Sequence, residues 1–161
     1  MELIVAVDRD WCIGRGDQLL FSIPEDLARF KALTLGKAIV YGRKTMATFP
    51  GGKPLPGRAN YVLTHHPEQI PAPARGFDSV ENLLEAAREE NKLFVVGGQQ
   101  VYEQLLPQCQ GAWVTQIDVR AGGDRFCPKL DQMNQWQRTE QSDWRDWQDL
   151  RFRFCRYRRI R

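Results

Sequence analysis

Short, largely apolar runs alternate with amphipathic segments over the first two-thirds of the chain. The apolar runs cover residues 3–7, 37–42, 59–64 and 92–96. A continuous apolar run of this length is typical of a strand that is buried on both faces, as in a parallel sheet. We therefore predict a buried strand at each of these four positions.

The first amphipathic segment predicts a helix from Pro24 to about residue 35, with Gly36 as its C-cap. Two N-caps are compatible with its start. Ser22 and Glu25 have the spacing of a capping box, whereas the residue before a proline avoids helical angles, which favours Ile23 as the cap.

Three further helices are predicted. Residues 79–90 follow Ser79 as N-cap and carry apolar residues at helical spacing. Residues 99–106 form a shorter helix that Pro107 stops, and Arg43 opens a short helix directly after the second strand.

The last third of the chain changes to strands without intervening helices, at residues 112–118, 134–142 and 150–157. The fold class is therefore α/β, with a central mixed, mostly parallel sheet of about eight strands, an antiparallel C-terminal end and about four helices on both faces. We expect residues 1–161 to form a single domain.

The last strand has apolar residues on both faces. Phe152 and Phe154 share one face, and Cys155 and Tyr157 share the other, so we predict a β-bulge or twist at residues 154–155. An edge strand with arginines on its wet face explains this segment well.

Two connections are predicted to be irregular. Residues 8–20 are polar but include Trp11, Ile13 and Leu19, which suits a loop that lies over a ligand or one that packs on its own domain. Residues 68–76 form a proline-rich connection.

Composition adds few constraints on function. The net charge of +3 does not imply a nucleic-acid partner, and no apolar run has the length of a membrane span. The N-terminus lacks the basic region of a signal peptide. The four cysteines are far apart, as expected of reduced thiols in a cytoplasmic protein.

Asp26 is the carboxylate that lies in the most unusual context. It falls in the first turn of the first helix, among Phe21, Ile23, Leu27 and Phe30. A helix N-terminus favours the anion, whereas apolar surroundings favour a proton or a cationic partner. Asp26 therefore either binds an amidine-like or protonated heterocycle or is a first-turn carboxylate that faces solvent.

Three predicted strands end in sequences that suit a phosphate. They run into Gly42-Arg43-Lys44, Thr64-His65 and Gly97-Gly98. Ligands of open α/β sheets bind beyond the carboxyl ends of the strands, and the cations favour NADP over NAD. A tight turn at the glycines and a solvated basic turn remain the alternatives. His65 and His66 point opposite ways along the strand, so we expect no metal site.

Taken in order, the motifs of this chain resemble those of dihydrofolate reductases of the bacterial single-domain type. The resemblance covers nearly the whole chain and rests on residues 3–8, 13–14, 23–27 with 30–31 and Thr34, 42–45, 55–60, 96–98, 101–102, 115–118 and 123–124. It implies reduction of 7,8-dihydrofolate to tetrahydrofolate with NADPH as cofactor, antifolate binding, and no nucleic-acid or membrane partner. A cytoplasmic monomer is expected.

The resemblance implies the following site residues. The catalytic residues are Asp26, Phe21 and Thr115: Asp26 promotes protonation at N5 of the pterin, and Thr115 supports its hydrogen-bond network. Arg58 pairs with the glutamate α-carboxylate. The other substrate-binding residues are Val5, Ala6, Leu27, Phe30, Leu55 and Val96. The cofactor-binding residues are Ala6, Ile13, Gly14, Gly42, Arg43, Lys44, Thr45, Thr64, His65, Gly97, Gly98, Gln99, Gln100, Val101 and Tyr102. Residues 14–20 form the mobile loop, and Gly97-Gly98 is a cis peptide.

Two departures from the family pattern stand out. Phe21 occupies a position where many members carry Trp, so an indole N–H that could hold a water is missing. Gln99 and Gln100 replace Gly and Arg of some relatives, which leaves Arg43 and His65 to bind the ribose phosphate.

Two other functions fit parts of the chain. A reductase of the same fold could act on a pyrimidine intermediate of riboflavin synthesis, but that substrate has no glutamate tail for Arg58. The arginines of residues 151–161, interleaved with aromatics, also suit a nucleic-acid-binding domain.

Overall fold

The computed structural model describes residues 1–161. Nine strands form one sheet: β1 (Glu2–Val7), β4 (Ala38–Gly42), β5 (Ala59–Leu63), β6 (Arg75–Phe77), β7 (Leu93–Gly97), β8 (Gly111–Ile117), β10 (Trp136–Gln141), β11 (Arg145–Trp147) and β12 (Leu150–Arg159). A second, small sheet contains β2 (Cys12–Arg15), β3 (Gln18–Leu19) and β9 (Arg125–Phe126). The helices are α1 (Pro24–Thr34), α2 (Arg43–Met46), α3 (Val80–Ala86) and α4 (Gln99–Leu105).

The large sheet has the order β10-β12-β8-β1-β7-β4-β5-β6, with β11 paired to β12. The strands from β8 to β6 in this order are parallel to one another, and β12 runs antiparallel to β8, β10 and β11. The predicted fold class, a mostly parallel sheet with an antiparallel C-terminal end and four helices, is therefore confirmed.

The side chains of each buried strand alternate between two apolar clusters, one on each face of the sheet. Helices cover both faces because each apolar face must be shielded from water. On one face, Met46 of α2 packs with Ile39 of β4. On the other, Leu83 of α3 and Leu105 of α4 pack with Val40. This arrangement leaves the carboxyl ends of β1, β4, β5 and β7 at one edge of the sheet.

Helix α1 begins with Pro24 at its first position and Ile23 as the N-cap. Of the two predicted caps, Ile23 is therefore the one used, and no side chain caps the helix. Leu35 is the C-cap, and Gly36 follows it with a φ of 78°. The expected C-cap thus moves by one residue, with glycine in the left-handed conformation just beyond it.

Helix α3 is capped as predicted, since Ser79 Oγ accepts from the backbone N–H of Asn82 at 3.1 Å. Its end was predicted wrongly, because the helix stops at Ala86 rather than at residue 90. The carboxylates of Glu89 and Glu90 would lie at the C-terminal end of a longer helix, where negative charge is unfavourable.

The two irregular connections contain short strands that were not predicted. Within residues 8–20, β2 and β3 form a hairpin around the two-residue turn Gly16-Asp17. A glycine followed by an aspartate between two extended segments is a known hairpin signal. Residues 68–76 include the start of β6, which at three residues is too short to show a pattern.

The C-terminal strand corrects two predictions. β12 lies between β10 and β8, so it is not an edge strand. It pairs with β8 without a register shift, and the irregularity lies in β10 between Arg138 and Glu140. No bulge is needed at residues 154–155, because both faces of β12 are covered and the regular alternation supplies an apolar residue to each.

Most arginines of β12 have partners within the protein. Arg156 Nη2 donates to Glu2 Oε1 at 2.7 Å, and Arg153 Nε donates to Gln116 Oε1 at 2.9 Å. Arg159 donates to the backbone oxygens of Leu106 and Cys109. These arginines of the C-terminal strand therefore stabilise its contacts with the rest of the protein.

All four cysteines are buried and unpaired: Cys12, Cys109, Cys127 and Cys155. Burial raises the pKa of the Cys109 thiol to about 11 and that of the Cys127 thiol further still. None of the helices combines the length and the hydropathy that crossing a membrane requires.

Candidate active site

The Asp26 carboxylate is held between helix α1 and the central sheet. Thr115 Oγ1 of β8 donates a hydrogen bond to Asp26 Oδ1 at 2.5 Å. Thr115 is paired in register with Ala6 of β1, near the carboxyl end of that strand. The predicted group of Asp26, Thr115 and Ala6 is therefore brought together at one edge of the sheet.

Opposing forces act on Asp26, as expected from its sequence context. Burial raises the pKa of the carboxyl above its ordinary value, and this is the largest effect. The hydrogen bond from Thr115 and the positive charge of Arg29 act in the other direction and lower that pKa. The net effect raises the pKa, so this carboxyl binds a proton more readily than a solvated aspartate.

The apolar surroundings of Asp26 come mainly from residues before the helix. Ile23 is 2% exposed and packs with Phe152 and Ile117, while Phe21 and Ala6 pack against the same cluster. Leu27 is 51% exposed and lies outside that cluster. It presents an apolar surface at the mouth of the site, next to the carboxylate on the helix.

Arg58 is fixed beside the C-terminal end of α1. Its Nε donates to Thr34 Oγ1 at 3.1 Å, and its Nη1 donates to the Pro56 carbonyl at 2.9 Å. The guanidinium carbon lies 6.0 Å from the centre of the Phe30 ring. These two bonds use two of the five N–H groups of arginine, which leaves three for a ligand.

Asn60 was not assigned a role from the sequence, yet it holds the segment that carries Leu55 and Arg58. Asn60 is 3% exposed. Its Nδ2 donates to the carbonyls of Leu55 and Arg58 at 2.9 and 3.0 Å, and its Oδ1 accepts from the Leu55 N–H and from Tyr41 Oη. A buried Asn next to a Pro-Gly loop is the signal that could have shown this role.

The glycine pair at the end of β7 lies against Thr45 and Tyr102. A Cβ placed on Gly97, whose φ is 132°, would lie 3.6 Å from Thr45 Oγ1 and 3.5 Å from Tyr102 Oη. The Gly97–Gly98 peptide is cis, as the resemblance implied. Tyr102 is itself buried, and its hydroxyl donates to the Ile4 carbonyl at 2.8 Å.

A second close approach occurs at the end of β4. A Cβ on Gly42 would lie 3.2 Å from Val101 Cγ2 of α4. Val101 is buried, so its side chain packs under the strand end rather than into the open edge. Val5 and Ile13 are also buried, whereas Val96 is half-buried.

The basic residues predicted at this edge are exposed. Arg43 and His65 lie at the ends of adjacent strands β4 and β5. Lys44 Nζ forms an exposed ion pair with Asp17 in the β2–β3 turn at 3.8 Å. Thr64 Oγ1 is engaged by the backbone N–H of His66 at 3.1 Å.

The Gln99 side chain contacts strand β9 of the small sheet. Its Oε1 accepts from the backbone N–H of Phe126 in β9 at 2.8 Å, and its Nε2 donates to Glu103 at 3.0 Å. Its side-chain amide is therefore engaged within the protein. Gln100, the next residue, is exposed.

The predicted mobile loop at residues 14–20 is held by the segment before β9. Asp124 Oδ1 accepts from the Gly16 N–H at 2.9 Å, and the Asp124 N–H donates to the Gly14 carbonyl at 3.0 Å. A Cβ on Gly123 would lie 2.3 Å from the Gly14 oxygen, so only glycine fits there. The small sheet thus connects the loop to Gln99 and the glycine pair.

A sequence model of the family described as "Dihydrofolate reductase" matches residues 1–159. The dihydrofolate reductase of Neisseria meningitidis serogroup B is 37% identical over 140 residues, which cover 87% of this chain and 85% of that protein. The dihydrofolate reductase of Mycobacterium tuberculosis is 36% identical over 161 residues, which cover 98% of this chain and 96% of that protein.

The chain belongs to the dihydrofolate reductase family. The family predicted from the ordered motifs is therefore confirmed. A solved structure of dihydrofolate reductase from Enterococcus faecalis, complexed with NADP(H) and RAB-propyl, is 29% identical and superposes with a TM-score of 0.87. The similarity covers 99% of this chain and 96% of that chain.

Within this dihydrofolate reductase fold, the predicted site residues fall into two groups around the strand ends. One group surrounds Asp26 and extends along α1 to Arg58. The other surrounds Gly97 and Gly98 and extends to the exposed Arg43 and His65. The structure contains no group of three or more His, Cys, Asp or Glu side chains arranged to hold a metal ion.

Proposed function

We propose that the protein reduces 7,8-dihydrofolate to 5,6,7,8-tetrahydrofolate, with NADPH as the hydride donor, and serves one-carbon metabolism. The observation that carries this proposal is the half-buried Asp26 carboxylate, fixed by Thr115 at the carboxyl edge of the sheet in a chain of this family. Bound NADPH supplies the hydride. The chain's own residues must bind and orient the pterin and deliver a proton.

Asp26 is proposed to promote protonation at N5 of the pterin. A carboxylate whose pKa is raised by burial gains free energy when a protonated, hydrogen-bonding heterocycle binds beside it. The two carboxylate oxygens can accept paired hydrogen bonds from the amino-pyrimidine edge, while Thr115 keeps the group in place. Phe21 offers no N–H to this region, so the proton arrives without an indole-bound water.

Arg58 is proposed to bind the α-carboxylate of the glutamate tail. The hydrogen bonds to Thr34 and Pro56 orient its guanidinium, and the free N–H groups of Nη1 and Nη2 can donate to one carboxylate. Leu27, Phe30 and Leu55 supply apolar surface between Asp26 and Arg58 for the rings of the substrate. Val5 and Ala6 of β1 and Val96 of β7 lie on the strands beneath the proposed substrate site.

The edge formed by β4, β5, β7 and α4 is proposed to hold NADPH. The glycines at its strand ends leave room for close approach, and Arg43 and His65 place exposed positive charge there, as a ribose phosphate requires. Residues of α2 and α4 complete the set: Lys44, Thr45, Gln100, Val101 and Tyr102. Ile13, Gly14 and Gln99 belong to the loop side of the same edge, and Thr64 belongs to the end of β5.

The test is a spectrophotometric assay of NADPH oxidation on addition of 7,8-dihydrofolate, with product identity checked by mass spectrometry. We expect NADPH absorbance to fall in a dihydrofolate-dependent manner, more slowly with NADH. Activity only with an aminopyrimidine that lacks a glutamate tail would contradict the proposal and favour the riboflavin-type reductase.

We also propose that residues 1–161 act as one domain and as a monomer in the cytoplasm, and that antifolates compete for the Asp26 site. One sheet contains strands from Glu2 to Arg159, which supports the single domain. A diaminopyrimidine antifolate presents the paired donors that a carboxylate binds, so Asp26 is expected to be its anchor.

A further inference from the structure

Arg29 follows Asp26 by three residues on α1, so the two side chains share one face of the helix. The Arg29 guanidinium carbon lies 4.1 Å from the centre of the Phe154 ring and 5.2 Å from the centre of the Trp113 ring. The faces of both rings attract a cation at these distances. Arg29 is therefore held against the sheet instead of extending into solvent.

Phe154, which Arg29 contacts, is also the direct cross-strand partner of Thr115. Side chains of such a pair point to the same face of the sheet, about 5 Å apart at Cβ. Asp26 accepts its hydrogen bond from Thr115, and Arg29 lies on Phe154. The two opposite charges are thus placed on neighbouring positions of one sheet face.

The other arginines near Arg29 have carboxylates of their own. Arg145 of β11 pairs with Glu25, and Arg156 of β12 pairs with Glu2 at 2.7 Å. Arg29 forms no direct ion pair. The remaining charged or titratable groups near it are Asp26 on its own helix and Glu140 on β10, which lines the same surface groove as Arg29. Cys155 of β12 is also near, but its side chain belongs to the cluster on the other face of the sheet.

Few groups compete with Arg29 for influence on Asp26. Thr115 on β8 donates a hydrogen bond, and Tyr102 on α4 is a neutral phenol whose pKa the Asp26 charge helps to raise. Arg29 is the cation among these neighbours. An arginine stays protonated at any physiological pH, so its charge is constant.

We propose that Arg29 is a positioning residue for Asp26: its fixed positive charge, held on Phe154 and Trp113, keeps the Asp26 carboxylate ionised in apolar surroundings and so sets the pH range of catalysis. This inference rests on the role proposed for Asp26. In physical terms, burial favours the neutral carboxyl, and the Arg29 charge reduces that preference through a medium of low polarity.

The decisive experiment is to measure the titration of the Asp26 carboxyl directly. The carboxyl carbon is observed by ¹³C NMR in protein labelled at aspartate, and its signal is assigned by its absence from Asp26→Asn. In Arg29→Met, which keeps an apolar stem on Phe154 but no charge, the midpoint is expected to rise by about one pH unit. Arg29→Lys, which keeps the charge, should stay within about 0.3 unit of the unmodified enzyme.

Catalysis supplies an independent readout. The midpoint of the kcat–pH profile for dihydrofolate reduction should move to higher pH in Arg29→Met and be restored in Arg29→Lys. In an Asp26→Asn background, Arg29→Met should leave the profile unchanged, because the group on which Arg29 acts is gone. NADPH affinity and the melting temperature serve as controls for folding, and Arg29→Gln provides a second neutral variant.

Two results would overturn the inference. One is an Asp26 midpoint that stays in place in both neutral variants; the other is an equal shift in Arg29→Met and Arg29→Lys, which would assign the effect to packing. The carboxyl titration needs no turnover. A failure of the role proposed for Asp26, seen as a near-normal rate of Asp26→Asn, is therefore distinguishable from a failure of this inference.

Discussion

Asn60 and Leu55 exchange a reciprocal pair of hydrogen bonds, from the Leu55 N–H to Asn60 Oδ1 at 3.1 Å and from Asn60 Nδ2 to the Leu55 carbonyl at 2.9 Å. The same amide also binds the Arg58 carbonyl. The buried Asn60 side chain therefore fixes the backbone of Leu55 and Arg58, two residues that are proposed to contact the substrate. Its effect on binding should be selective for the substrate.

Asn60→Ala is expected to weaken both the fold and the substrate site. The backbone groups of Leu55 and Arg58 would lose their partners, at a cost of about 1–3 kcal/mol for each one that stays buried. The KM for dihydrofolate should rise several-fold more than the KM for NADPH. Tyr41→Phe, which removes only the hydroxyl donor to Asn60, is the matched control in urea unfolding and steady-state assays. Equal increases in both KM values would mean that Asn60 only supports the fold.

Arg58→Lys should keep the charge but lose the planar arrangement of donors. The KM for dihydrofolate is expected to rise about tenfold or more, with a much smaller decrease in kcat, since a hydrogen bond to a charged group contributes about 1.5–3 kcal/mol. A pterin without the glutamate tail is the control substrate and should be affected little. If both substrates weaken equally, Arg58 does not contact the tail.

Asp26→Asn should reduce the rate of dihydrofolate reduction at neutral pH by about 10²–10⁴, the usual effect of losing a positioned acid–base group. The residual rate should increase as pH falls, because protons then reach the pterin from solvent. Rates are measured against pH for both forms, with NADPH binding followed by fluorescence as the control. A near-normal rate at neutral pH would show that Asp26 has no part in proton delivery.

Asp26→Asn should lower the rate of the enzyme but raise the thermal stability of the folded protein at neutral pH. Burial raises the pKa of Asp26 in the folded protein, so the folded state binds this proton more tightly than the unfolded chain. The carboxylate therefore costs no stability below its ordinary pKa, and the cost grows until the pH exceeds the folded-state pKa. Asp26→Asn should have a higher melting temperature than the unmodified enzyme at pH 7, and the difference should shrink in acid. A difference that is independent of pH would argue against this assignment.

Arg43→Ala should narrow the preference for NADPH over NADH, mainly by raising the KM for NADPH. The exposed position of Arg43 makes its interaction sensitive to salt, so the preference of the unmodified enzyme should itself fall at high ionic strength. Lys44→Ala tests the neighbouring cation, which already pairs with Asp17. Equal losses of activity with NADH and NADPH would indicate that Arg43 is structural.

The buried frame of the protein was predictable because its strands are marked by continuous apolar runs. The four runs at residues 3–7, 37–42, 59–64 and 92–96 all became strands of the large sheet. The short strands were not predictable in the same way. β6 and β11 have three residues each, and their pairing depends on the longer strands beside them.

The site was predictable where residue type and helix position determine it, and unpredictable where the contacts are with distant backbone or aromatic groups. Asp26 and Thr115 lie 89 residues apart, and only the family motifs connected them. The sequence shows Asn60 only as a polar residue in an apolar run after a Pro-Gly loop, whereas the backbone groups that it binds are identified only in the fold. The sequence does not distinguish Arg29 from any other arginine on a helix surface, because its partner Phe154 is distant along the chain.

The four buried thiols have a practical consequence for following this protein. A thiolate is the species that alkylating reagents attack, and burial both blocks access and, at Cys109, raises the pKa to about 11. Modification by iodoacetamide must therefore wait for the core to open. Three of these thiols lie in the larger apolar cluster, and Cys12 lies in the small sheet. The rate of alkylation therefore reports the rate of unfolding, and mass spectrometry can follow it in mixtures that are too complex for spectroscopy.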